Sequence, residues 1–123
     1  MTALHPIVQT ATLRLPVGAD EAAPGAAITV ALCGQWDHGG PCRWPHHTSR
    51  RRTGDADPDR LELRVVTLAS APEVDAVRAT VVAALAAGAL DGPNGTVSWE
   101  LRATAPGDLI DAELELAERL ARG

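Results

Sequence analysis

Residues 33–48, Cys-Gly-Gln-Trp-Asp-His-Gly-Gly-Pro-Cys-Arg-Trp-Pro-His-His-Thr, hold both cysteines of the chain, three of its four histidines and two of its three tryptophans. Cys33, His38, Cys42 and one of His46 or His47 have the make-up of a tetrahedral Cys2His2 zinc site, spaced C-x4-H-x3-C-x3-H. Thiolate and imidazole together suit zinc, whereas magnesium and calcium want oxygen. Gly39-Gly40-Pro41 lets the chain reverse between ligands. Trp36 and Trp44 can exclude water, and Asp37 can accept from a ligand histidine. On this reading zinc is the cofactor, and the protein binds a transition metal in a structural or metal-handling role. An open coordination position would make it a metal-dependent enzyme instead.

Two plainer readings compete. A Cys33–Cys42 disulfide would contribute on the order of 2–3 kcal/mol, although the cytoplasm expected for this chain keeps thiols reduced. Otherwise the cysteines are reduced, the histidines solvated and the tryptophans only pack the loop down. A Cys–His nucleophile pair has neither an orienting third group nor an oxyanion site visible in the sequence.

The same region is locally basic. Arg43, Arg50, Arg51 and Arg52, beside His46 and His47, form either a solvated loop or, with Trp36 and Trp44, a contact surface for an anionic or protein partner. Trp44 beside arginines could stack a nucleic-acid base. The formal net charge of −5 argues against a general nucleic-acid binder.

The rest of the chain must position this cluster. At 123 residues it is read as one α+β domain, 1–123. Phe, Tyr and Lys are absent and alanine dominates, so Leu, Val and Ile must fill the core. Arg, Ala, Gly and Pro are favoured by GC-rich codons, which points to a high-GC bacterial genome rather than to function. No basic n-region with a long apolar run opens the chain, and the segment around Ala83 is too short to span a bilayer. A cytoplasmic protein with no membrane partner is therefore expected.

Alternation predicts strands over 7–15, 26–33, 60–68 and 96–103. In the second of these Ile28, Val30 and Leu32 face inward and Cys33 closes the strand. Ser70-Ala71-Pro72-Glu73 reads as a capping box opening a helix of Val74, Val77, Val81 and Leu85 that stops at Gly88. A last helix starts near Pro106–Asp108 and buries part of Leu109, Ile110, Leu114, Ala117 and Leu120. The order β-β-β-α-β-α implies a two-layer sandwich: a mixed four-stranded sheet with both helices on one face. Strands two and three are then joined by a long inserted loop, 34–59, which carries the Cys/His/Trp/Arg cluster. A loop of such length is usually functional, internally cross-linked or disordered.

Overall fold

The alternation that begins near Ile7 does produce a strand in the computed structural model, which describes residues 3–33, 44–52, 56–93 and 95–122. The elements run β1 (Leu4–Arg14), α1 (Ala23–Cys33), β2 (His46–Arg52), β3 (Arg60–Ser70), α2 (Val74–Ala87), β4 (Ala89–Gly92), β5 (Gly95–Ser98), β6 (Glu100–Gly107) and α3 (Asp111–Arg122). The class is α+β, with a four-stranded sheet in the order β2-β3-β1-β6 and a separate β4–β5 hairpin. Among the described residues every pairing is antiparallel, so the sheet they form is not mixed. Among the described residues no helix is long and apolar enough to cross a membrane.

Cross-strand partners share a face of the sheet. Leu13 faces Leu61, Ala11 faces Leu63 and Gln9 faces Val65, which places Ala11, Leu13, Leu61, Leu63 and Val65 on one surface. That surface packs against Ala27, Ile28 and Leu32 of α1 and Val77, Val81 and Leu85 of α2 to make the core. Even-numbered residues of β3 point the other way. There α3 docks, with Glu113 meeting Arg64 and Ala117 buried. The helical layer over the core face is thus α1 with α2, and the last helix does not join it.

Residues 26–33 form a helix rather than the expected strand. Ala23, Ala26, Ala27, Ile28 and Leu32 are all buried, so nearly every side chain of α1 is apolar and periodicity carries no information there. Alanine favours the helix, and Pro24 falls in its first turn, where a missing N–H costs nothing. The Asp20 carboxylate accepts from the Ala22 N–H at 2.9 Å just before it. Gly25 faces Thr48 of β2, and a Cβ added there would meet Cβ of Thr48 at 3.4 Å, an ordinary van der Waals contact.

The expected 34–59 loop is interrupted by β2, whose sequence His-His-Thr-Ser-Arg-Arg-Arg has no apolar alternation. Pairing with β3 makes it a strand. The expected strand over 96–103 is two strands meeting at Trp99, which is buried and donates from its indole N–H to the Leu85 carbonyl at 2.9 Å. Ser70 and Glu73 do meet, but as hydroxyl to carboxylate at 2.6 Å; the serine caps no backbone N–H.

Candidate functional site

The part of the cluster that the structure describes gathers at a cleft between α1 and β2. Alternate residues His46, Thr48 and Arg50 of β2 stand opposite Thr67, Val65 and Leu63 and share the core-side face. Across from them α1 and the turn before it present Glu21, Gly25 and Thr29, enclosing about 290 Å³. Among the described residues the Thr48 hydroxyl is buried there without a hydrogen-bond partner.

His46 is held at both ring nitrogens. Nδ1 lies 3.0 Å from the Trp44 carbonyl oxygen, which can only accept, so Nδ1 carries a hydrogen. Nε2 lies 3.0 Å from the Thr29 hydroxyl, which is itself 3.2 Å from the Gly25 carbonyl. In the neutral ring the hydroxyl donates to Nε2. In the imidazolium Nε2–H donates to Thr29, whose hydroxyl then donates to Gly25. The Thr29–His46 pair has the spacing of a nucleophile and its base, but Thr29 lies within α1 and can bond back to its own helix.

The zinc reading is corrected by this geometry. Among the described residues no group of three or more His, Cys, Asp or Glu side chains could hold a metal ion. Cys33 is disulfide-bonded, and a disulfide sulfur is not the thiolate that such a site requires. His46 Nδ1 is 4.0 Å from the Cys33 sulfur and is turned to a carbonyl. His47 stands opposite Val66, on the other face of the sheet from His46. His38 and Cys42 lie outside the described residues, as do Trp36 and Arg43.

Of the competing readings, the disulfide is the one the structure contains. Cys33 ends α1 and packs against the core together with the half-buried Trp44. Cys42 is the one other cysteine in the sequence. Denatured, unreduced protein is therefore expected to show no titratable thiol with Ellman's reagent, and two after reduction. Reduction should lower stability by about 2–3 kcal/mol in urea melts. Two thiols before reduction would refute the bond.

Strand alternation divides the arginine run. Arg52 is structural: it donates from Nε to Glu21 at 2.7 Å and from Nη1 to the Leu15 carbonyl at 2.6 Å, tying the end of β2 to the β1–α1 connection. Arg51 faces the other side of the sheet, opposite Glu62. Arg50 remains at the cleft, half-exposed, with Glu21 at a loose 3.7 Å. Trp44 is tucked against the core and is not an open stacking platform.

The sequence reading missed Glu21, Thr29 and Thr48. Their types are ordinary, and only the packing of α1 on β2 brings them to the histidine. An ionisable pair with displaced titration lies on the far face. Arg64 hydrogen-bonds the buried Glu113 and holds its carboxyl below the ordinary value, against the opposing effect of burial. The Ile110 N–H and the charges of Arg64 and His47 add to the lowering. The same bond raises Arg64.

Comparison with family models, curated proteins and solved structures found no match to this chain.

Proposed function

We propose that this protein is a binding module that takes an acidic, extended segment of a partner protein along the outer edge of β2. The supporting observation is the strand's position. β2 is outermost in the sheet, and among the described residues no strand pairs with its second edge. Such an edge offers a row of backbone donors and acceptors, and an added strand gains main-chain hydrogen bonds there.

The cleft beside the edge supplies selectivity. Alternate side chains of an added strand would lie over the same face as His46, Thr48 and Arg50. Arg50 is the cation at that position whose carboxylate contact is weakest, Arg52 being neutralised by Glu21. An acidic side chain fits opposite it, and the unpartnered Thr48 hydroxyl can bond a neighbouring polar group. Charge on an edge also blocks indiscriminate self-pairing, so a basic strand favours a partner of opposite sign. The disulfide at Cys33 favours an oxidising compartment over the expected cytoplasm.

Selection from a random phage-displayed peptide library against the folded protein tests this reading. Enriched peptides should carry Asp or Glu at alternate positions and shift the backbone amide resonances of residues 46–52. N-methylation of alternate peptide amides should abolish binding. Arg50→Ala should weaken it roughly tenfold, as expected for one charge-assisted contact. Peptides without acidic enrichment, or ones that leave the β2 amides unmoved, would overturn it.

A further inference from the structure

We infer that the cavity formed by Arg14, Arg60 and Arg102, on the face of the sheet away from the core, binds a small phosphate monoester. Three strands converge there. Thr12, Leu13 and Arg14 of β1, Asp57, Arg60 of β3, and Arg102 and Ala103 of β6 line about 460 Å³. That volume falls within the range of small-molecule sites.

The backbone brings the three guanidinium groups together in two ways. Arg14 stands directly opposite Arg60 in the β1–β3 ladder. Like charges placed so are unfavourable in a sheet unless something of opposite sign offsets them. Arg102 arrives through a bulge. Thr12 pairs with Ala103 but Leu13 pairs with Leu101, so Arg102 is the extra residue. Regular alternation would have set it opposite Leu13, on the core face. The bulge instead re-aims it into the cavity, as bulges beside binding sites do.

The three arginines have carboxylate neighbours: Asp59 lies 3.7 Å from Arg14, Glu62 lies 3.1 Å from Arg60, and Glu100 lies 2.7 Å from Arg102. These pairs are solvent-exposed and individually weak. None of these three carboxylates lines the cavity, and among the described residues three cations face it against Asp57. Guanidinium groups present paired N–H donors that match phosphate oxygens, and three of them suit a dianion. Asp57 would repel a bare phosphate but accept a hydrogen bond from a hydroxyl on the carbon skeleton of a monoester.

Titration calorimetry in a phosphate-free buffer at fixed ionic strength tests the site, with inorganic phosphate, glycerol 3-phosphate and glycerol as probes. Glycerol 3-phosphate should bind saturably and several-fold more tightly than inorganic phosphate, and glycerol should not bind. Arg102→Gln should weaken binding at least tenfold while leaving the melting temperature in phosphate-free buffer unchanged. Arg119→Gln, on α3, should leave affinity unchanged. Absence of saturable binding would overturn the inference, and so would equal weakening by both substitutions, which is the mark of diffuse surface charge. Equal affinity for inorganic phosphate and glycerol 3-phosphate would refute the monoester assignment. The peptide selection at β2 is independent of every one of these outcomes.

Discussion

Trp99→Ala is expected to destabilise the protein by about 3–5 kcal/mol, the usual cost of truncating a buried tryptophan. Trp99 is only 7 % exposed and is the largest side chain in the core cluster. It also joins separate elements. Its backbone N–H donates to the Gly88 carbonyl at 2.9 Å, and its indole N–H donates to Leu85, so it locks the end of α2 to the start of β6. Gly88 follows from that contact. Its φ is +73° and a Cβ there would come within 2.8 Å of the Trp99 carbonyl oxygen, so glycine satisfies both the turn and the approach. Trp99→Phe separates packing from hydrogen bonding. Leu85 O keeps a donor from the Gly88 N–H at 3.2 Å, so loss of the indole bond should cost no more than about 1–2 kcal/mol. Urea melts of both variants check this. A Trp99→Ala variant within 1 kcal/mol of wild type, roughly the scatter of ordinary substitutions, would show that the residue is not part of the core.

The second large effect is on the opposite face. Arg64→Ala should cost about 3 kcal/mol near neutral pH, the low end for breaking a buried pair because Arg64 is partly exposed. Glu113 is 6 % exposed. Arg64 contacts both its oxygens, at 2.9 and 2.8 Å, and also donates to the Asp108 carbonyl at 2.7 Å. Its removal strands a buried carboxylate. Adding Glu113→Gln to Arg64→Ala should therefore restore part of the loss; a double variant less stable than Arg64→Ala would refute this account. The pH dependence has a definite sign. The carboxyl of Glu113 is held below its unfolded value, so the pair contributes fully above the ordinary Glu pKa of about 4.3. That contribution disappears as pH falls from there through the lower folded value. Glu113→Gln should flatten the acid side of the stability profile in that window and leave the slope above it unaltered.

How far the residues alone reveal these features differs by element. β1 and β3 alternate, α2 repeats its valines at helical spacing, and α3 sets Ala117 against a charged face. Each pattern is local, so it survives without tertiary context. α1 fails because a helix apolar on every side has no period to read. β2 fails for the reverse reason: it buries too little to alternate. The Arg102 bulge has no local signature, because an extra residue is defined only against the partner strand. Trp99 reads as one more inward position of a single strand, yet its contacts with Leu85 and Gly88 place it where two strands meet.

The cluster at 33–48 shows the same division. Its residue types limited the chemistry to a metal site, a disulfide or a packed loop, and to a basic contact surface. The disulfide at Cys33 and the two hydrogen bonds of His46 decided against coordination by the residues described. Strand pairing then sent Arg50 and Arg51 to opposite faces and bound Arg52 to Glu21. Amino-acid order therefore determined which side chains were chemically capable and which segments were amphipathic, since both are properties of a few neighbouring residues. Which capable side chains meet was decided only by register and packing, because those depend on partners 15 to 95 positions away, as in the Ser49–Arg64 and Gln9–Thr104 contacts.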